Sequence, residues 1–187
     1  LMIWLHGFDT ALGRCGIAWN ERGVCGSQLP EATPNLSRDR LRQRFPAGRE
    51  TDQLPPVIAA AVRAVQRLLS GQLNDDQELL AIVLDDSALP EFQRQVLAQT
   101  RLIPLGQTLS YGELAAQLGQ PGAARAVGQA EGHNPFAPIV PCHRVLARGS
   151  AAGGFSAHGG LHTKLALLRL EARATADRPG RQAELPF

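Results

Sequence analysis

Between Ser110 and Gly132 the chain is punctuated so closely that two short helices joined by a turn are what fits. Ser110-Tyr111-Gly112-Glu113 is a capping box, in which the Ser hydroxyl and the Glu carboxylate each satisfy a backbone donor left free at a helix start. The helix it opens carries Leu114, Ala115 and Leu118 and stops at Gly119. Pro121 suits the first turn of a second helix. Two short helices around a tight Gly-containing turn form a helix-turn-helix.

The second helix reads Gly122-Ala123-Ala124-Arg125-Ala126-Val127-Gly128-Gln129-Ala130 and is poor in side-chain bulk. A major-groove reading helix carries several long polar side chains, and this one has one Arg and one Gln. An ordinary helix is about 10–12 Å across, and the minor groove is about 6 Å wide. Small residues at Ala123, Ala124, Ala126 and Gly128 would let the backbone approach a widened minor groove. Arg125 would then enter the base stack as a wedge. Taken alone, the same residues fit better an Ala-rich core helix with one surface Arg.

The rest of the chain supports an α+β fold. Residues 1–30 read as β-structure, with an apolar run Met2 to Leu5. Leu12 to Trp19 and Val24 to Leu29 flank a hairpin turn, Asn20-Glu21-Arg22-Gly23. Leu36, Leu41 and Phe45 mark one face of a short basic helix. Its arginines Arg38, Arg40, Arg42 and Arg44 read as a solvated face in preference to a DNA-binding run. A helix is expected over 56–70, with Val57, Ile58, Ala61, Val62, Val65, Leu68 and Leu69 inward and Gly71 ending it. Leu79 to Leu84 is a candidate buried strand, and Asp85-Asp86-Ser87 a domain junction. A further helix is expected over 91–102, with Phe92, Val96 and Leu97 inward. The expected organisation is a small antiparallel sheet with helix over 1–86, a mostly helical unit over 87–171, and a flexible tail over 172–187.

Bulk properties narrow the function classes. A net charge of +2 over 187 residues makes any nucleic-acid contact local. Cys15, Cys25 and Cys142 are too few, and odd in number, for a disulfide framework. They fit a reducing, cytoplasmic compartment. No run reaches the roughly 18–20 apolar residues of a membrane span, and no signal peptide is expected at the start. His6, Cys15 and Cys25 match no compact zinc spacing, so both cysteines read as buried strand residues and no metal is expected.

The chemistry concentrates in Asn134-Pro135-Phe136-Ala137-Pro138-Ile139-Val140-Pro141-Cys142-His143-Arg144-Val145. Three prolines at spacing three stiffen the approach to Cys142. A thiol with an ordinary pKa of about 8.5 is mostly protonated near neutrality. Something must take its proton, and the adjacent His143 is a candidate, directly or through water. A Cys-His pair by itself is equally a buried structural cysteine.

The whole string is more specific. Pro-Cys-His-Arg-Val, preceded by Asn-Pro and by Ala-Arg-Ala-Val-Gly, resembles the O6-alkylguanine-DNA alkyltransferase family over residues 90–171. The N-terminal half resembles it only loosely, through Phe8-Asp9-Thr10-Ala11-Leu12-Gly13 and the hairpin after it. The resemblance implies irreversible, single-turnover transfer of an alkyl group from a flipped-out O6-alkylguanine in duplex DNA to Cys142. O4-alkylthymine is a second candidate substrate, and no cofactor is implied. It further implies that His143 acts through a water to deprotonate Cys142, that Glu171 holds His143, and that Asn134 braces the active-site turn. Tyr111 would press on the phosphate beside the target nucleotide. Arg125 would fill the space the base leaves, and Gly128 would permit close approach of the backbone. The Cys142 and Val145 carbonyls would read the guanine edge.

The sequence departs from the family pattern in the loop Gly153-Gly154-Phe155-Ser156-Ala157-His158-Gly159-Gly160. Many relatives place a Tyr there to donate to the leaving oxygen. This chain has Ala157 at that position and His158 beside it, so Ser156 or a backbone amide is the candidate donor. The end of the chain, Gln182-Ala183-Glu184-Leu185-Pro186-Phe187, resembles short peptides that bind the bacterial sliding clamp. Two other functions compete: a DNA binder that senses alkylated bases without repairing them, and a cysteine hydrolase. Sensors of that kind replace the reactive cysteine, which this chain retains.

Overall fold

The structure is a computed structural model that describes residues 1–148 and 160–176. Ser156, Ala157, His158 and the segment Gln182 to Phe187 lie outside the described residues. The chain divides into two compact units. One is Leu1–Ala88 with Pro135–Ile139; the other is Leu89–Asn134 with the chain from Val140 on.

The first unit is built on a sheet of order β3-β2-β1-β4. Strands β1 (Trp4–Thr10), β2 (Gly13–Asn20) and β3 (Gly23–Gln28) run antiparallel. The turn between β2 and β3 is the expected one. Asn20 pairs with Gly23, and Gly23 has a φ of +146°, a conformation that excludes a side chain at little cost only in glycine. Helix α1 (Pro34–Arg44) starts on Thr33, whose hydroxyl accepts from the Leu36 amide. Leu41 is buried, whereas Leu36, expected inward, is exposed. The α1 arginines are held within this unit: Arg38 grips Glu50 through two hydrogen bonds of 2.8 and 2.7 Å. Arg44 donates to the Ser27 carbonyl at 2.6 Å and to the Pro135 carbonyl at 2.9 Å.

Strand β4 (Arg49–Glu50) lies parallel to β1. Helix α2 (Pro56–Leu69) has no side-chain cap. It buries Ile58, Ala61, Val62, Ala64, Val65, Leu68 and Leu69. A cap is worth about 1 kcal/mol and each large apolar side chain about 1.5–3, so packing holds this helix. Val57, expected inward, is exposed in the first turn of the helix.

The expected strand over Leu79 to Leu84 does not form. The Asp75 carboxylate accepts from the Gln77 amide at 2.9 Å and opens a short helix, α3 (Gln77–Leu80). Leu79 and Ile82 are buried while Leu80 and Val83 are exposed, a spacing of three that a strand cannot present to one face. A single bridge from Leu84 to Val24 is what remains of the strand. Cys15 is buried in β2 and Cys25 half-buried in β3, both as free thiols. Burial pushes Cys15 up to about 12 and Cys25 up to about 11.

The second unit is mostly helical. Helix α4 (Glu91–Thr100) buries Val96 and Leu97 and is joined by the partly buried Phe92. A two-residue strand, β5 (Leu109–Ser110), leads into α5 (Tyr111–Gln117). Both halves of the capping box are present, with the Ser110 amide donating to Glu113 Oε2 at 2.6 Å and the Glu113 amide to Ser110 Oγ at 3.1 Å. Gly119, at a φ of +73°, ends that helix. The second helix, α6 (Ala124–Gly132), begins later than expected. Pro121 and Gly122 form the turn, and the Ala123 amide donates to the Gln120 carbonyl, which closes that turn before the helix starts. Strand β6 (Val145–Leu146) pairs in parallel with β5, Leu109 opposite Val145 and Ser110 opposite Leu146. Helix α7 (Leu161–Ala174) continues past residue 171. Ala172 and Thr175 are buried there, and the Thr175 hydroxyl donates to the Glu171 carbonyl at 2.9 Å. Residues 172–175 therefore belong to the packed unit and not to the expected tail.

Candidate active site

Cys142 opens a single 3-10 turn, Cys142–Arg144, at the end of the Pro138-Ile139-Val140-Pro141 run. The Cys142 amide donates back to the Val140 carbonyl at 2.9 Å, which orients the residue before its side chain is considered. Asn134 is the brace: its Nδ2 donates to that same Val140 carbonyl at 2.9 Å, and its side chain also hydrogen-bonds the thiol. Pairing of β5 with β6 sets the other side of the site. It places Ser110 opposite Leu146, four residues past the cysteine, so Tyr111, the next residue, enters the neighbourhood of Cys142. The two groups interact electrostatically.

Below the thiol lies a buried charge network. His143 and Arg144 are each 0% exposed and Glu171 is 2% exposed. His143 Nε2 lies 2.5 Å from Glu171 Oε1. Arg144 donates to both carboxylate oxygens, from Nε at 2.9 Å and Nη2 at 3.0 Å, and from Nη1 to the Ile103 carbonyl at 2.6 Å. Burial alone would raise the Glu171 carboxyl. The charges of His143 and Arg144, and their hydrogen bonds, outweigh it and hold the group down at about 2. An ionised carboxylate only accepts, so His143 must present Nε2–H to it. A neutral imidazole then carries its lone pair on Nδ1, an atom with no protein partner among the described residues.

Cys142 itself is pushed up to about 12, first by burial and then by the nearby Glu131 carboxylate; Asn134 and Lys164 pull it down. Lys164, on α7, is buried, donates to the Val145 carbonyl at 2.7 Å and lies 5.9 Å from the centre of the Tyr111 ring. The Val145 side chain is enclosed in the core with Val96, Leu114 and Val127, and its carbonyl accepts from Lys164. Val145 was expected in the base pocket together with Ser156, Ala157 and His158, which lie outside the described residues.

Helix α6 presents a bare outer face. Arg125, Ala126 and Gln129 are exposed, and Ala123, Ala124 and Gly128 are half-buried. Val127, Ala130 and Glu131 face inward. A Cβ added at Gly128 would meet the Tyr111 ring at 3.9 Å, an ordinary contact, so nothing inside the described protein demands glycine there.

Comparison with known proteins settles the family. The sequence profile described as "6-O-methylguanine DNA methyltransferase, DNA binding domain" matches residues 91–173. A methylated-DNA–protein-cysteine methyltransferase of Mycolicibacterium paratuberculosis is 47% identical over 92% of this chain and 94% of its own length. The chain belongs to the methylated-DNA–protein-cysteine methyltransferase family. The same enzyme of Mycobacterium tuberculosis is 46% identical over 66% of this chain and 71% of its own. Fold similarity extends over both halves. The Mycobacterium tuberculosis O6-methylguanine methyltransferase crystal structure superposes with a TM-score of 0.73 at 34% identity, covering 96% of each chain. A second structure, of that organism's OGT in complex with DNA, gives 0.72 at 32% identity over 97% of each chain.

The structure brings Cys142, Asn134 and Tyr111 together, and His143 with Glu171. Arg125 stands apart on the outer face of α6. Three buried residues were not singled out from the sequence. Arg144 sits inside the Cys motif, where its neighbours drew the attention. Lys164 is the only lysine of the chain, a signal that was readable in the composition, and it is buried. Glu131 had a readable signal: it lies one and four residues after Ala130 and Val127, on the apolar stripe of α6, where a charge is out of place.

Proposed function

We propose that Cys142 is the acceptor in direct-reversal DNA repair, taking an alkyl group from O6-alkylguanine in a single irreversible turnover. The chain is a methyltransferase that repairs DNA by moving an alkyl group to its own cysteine, as its family membership requires. The observation that carries the assignment to Cys142 is the environment of this thiol: braced by Asn134, followed directly by His143, and backed by the Glu171–Arg144 network. Cys15 and Cys25 lie in strands of the other unit, without such a network.

The step balances simply. A thiol at about 12 is ionised in only about one molecule in 10⁵ at pH 7, so its proton must be removed during the reaction. The Nδ1 lone pair of His143, oriented by Glu171, accepts that proton through a water. The sulfur attacks the alkyl carbon, an S–C bond forms, and the C–O6 bond breaks with its electron pair going to the guanine. The imidazolium returns the proton toward the departing base, and the thioether remains on the protein.

For DNA engagement, Arg125 and the small residues Ala123, Ala124, Ala126 and Gly128 form the face that enters the minor groove, and Tyr111 sits against the phosphate of the flipped nucleotide. The exposed Arg125 and the absence, among the described residues, of an internal reason for Gly128 support this. Ser156, Ala157 and His158, with the Val145 carbonyl, close the base pocket in this reading. The Gln182 to Phe187 segment tethers the protein to a bacterial sliding clamp, through Leu185 and Phe187 as apolar anchors on a polar stretch; equal capture of intact and truncated protein by purified clamp would remove that tether. The expected compartment is the cytoplasm, at the nucleoid. Among the described residues no helix is long and apolar enough to cross a membrane.

The test is an intact-mass measurement after incubation with a duplex containing O6-methylguanine. A gain of one methyl, located on Cys142 and stopping at one equivalent, is expected. Tight binding without a mass gain would instead mark a sensor of alkylated bases, and turnover independent of DNA a hydrolase.

A further inference from the structure

Glu131 is a buried acid that the alkyl-transfer chemistry does not use. It is 4% exposed. The Thr100 hydroxyl, itself buried at the end of α4, donates to Glu131 Oε1. The second oxygen, Oε2, has no hydrogen-bond partner among the described residues. The backbone ties Glu131 to the reacting group: its carbonyl accepts from the Asn134 amide at 3.1 Å, and Asn134 holds the Cys142 thiol.

We propose that Glu131 is a proton-dependent brake on Cys142: buried with one carboxylate oxygen unpartnered among the described residues, and hydrogen-bonded through its backbone to the asparagine that holds the thiol, it opposes thiolate formation when ionised and releases it when protonated. The reason is like-charge repulsion in a poorly solvated interior, where two anions cannot both form cheaply. The surroundings suit a carboxyl that titrates within the working pH range. Burial raises Glu131 to about 7, against the Thr100 hydrogen bond and Lys164, which lower it.

The groups facing it can be named element by element. Thr100 comes from α4 and is neutral; Arg101, the next residue, is lowered by its own burial alone. Tyr111 comes from α5 and is raised by burial, then by Glu131 and Cys142. Lys164 comes from α7, lowered by burial and raised by Cys142 and Glu131. Cys142 comes from the 3-10 turn. On α6 itself, Arg125 is exposed, as is His133 just beyond it. Lys164 is thus a cation that acts on both acids, held in place by its hydrogen bond to the Val145 carbonyl.

This proposal rests on Cys142 being the acceptor, and the experiment separates the two. Single-turnover rates of methyl transfer from saturating O6-methylguanine duplex are measured from pH 5.5 to 9 for the intact protein and for Glu131→Gln. Glutamine reproduces the shape and hydrogen bonding of the protonated carboxyl. The rate ratio of variant to parent should therefore be near 1 below pH 6 and rise to on the order of tenfold above pH 8. A ratio that is flat with pH, or that falls, overturns the brake, and a merely structural role for Glu131 predicts that flat ratio. Thr100→Val provides a second line that keeps the charge. Losing the hydroxyl moves the Glu131 titration upward, so its rate profile should follow that of Glu131→Gln to a higher pH before departing from it. A profile identical to the parent's overturns the proposal. If the parent protein gains no methyl on Cys142, both readings fall; if it does and the ratio is flat, only the brake falls.

Discussion

Replacing Glu171 by Gln should unfold the second unit's interior in a way that acid reproduces. Arg144 would stay fully buried with its guanidinium facing a neutral amide, and His143 would face a group that can donate as well as accept, so its tautomer is no longer fixed. Breaking a buried ion pair by removing one partner costs about 3–5 kcal/mol, because the remaining charge is left uncompensated. The depressed carboxyl gives a second figure. The carboxyl falls from 4.5 to about 2 on folding, roughly two and a half units at about 1.36 kcal/mol each, or about 3 kcal/mol. The two agree because Gln stands in for the protonated acid.

The sign follows from the depressed value. The stabilisation is complete above pH 4.5 and is lost as the pH falls through 2. The gap between parent and variant should be about 3 kcal/mol at pH 7 and shrink to roughly half of that or less at pH 3. With a urea slope near 2 kcal/mol per molar, the pH 7 gap moves the midpoint by about 1–2 M. Both tryptophans, Trp4 and Trp19, lie in the other unit, so far-UV circular dichroism and not tryptophan fluorescence must follow the transition. A gap below 1 kcal/mol at pH 7, or one that does not shrink in acid, would refute the reasoning.

Gly128→Ala should raise thermal stability by up to about 1 kcal/mol, since the helix gains a better former and the new methyl meets only the Tyr111 ring at 3.9 Å. The same change should weaken binding to damaged duplex, as read by fluorescence anisotropy; unchanged affinity would place the groove elsewhere. Arg125→Ala should leave folding within about 0.5 kcal/mol of the parent, because the side chain is exposed, and slow methyl transfer at least tenfold in a stopped single-turnover assay. Gly106→Ala should destabilise by more than about 2 kcal/mol in chemical denaturation. Gly106 has a φ of +83°, and a Cβ there would collide with the Thr175 hydroxyl that anchors the end of α7.

Local signals in the sequence were strong enough to place most elements that carry the site. The Ser110–Glu113 box needs only residues three apart, so it formed as read. The Asn20 to Gly23 turn is equally local, and so is α2, whose apolar period is carried by its own residues. Failures came where local cues conflicted with neighbours. Leu79 to Leu84 is apolar enough for a strand, but Asp75 caps the turn before it and the apolar positions fall three apart. Pro121 was competent to start a helix, yet the backbone closed its turn first and left the start to Ala124.

The cysteine, its histidine and the small-faced helix were thus fixed by residue order alone, because motif, proline spacing and capping are properties of contiguous chain. The electrostatics of the site were not. That Arg144 donates to Glu171 and to the Ile103 carbonyl, that Lys164 lies buried by the Tyr111 ring, and that Glu131 acts on the acceptor thiol all depend on α4, α5, α6 and α7 meeting around one turn. Charge interactions act through space and grow as water is excluded, and residues 11 to 53 positions apart acquire both conditions only in the folded unit.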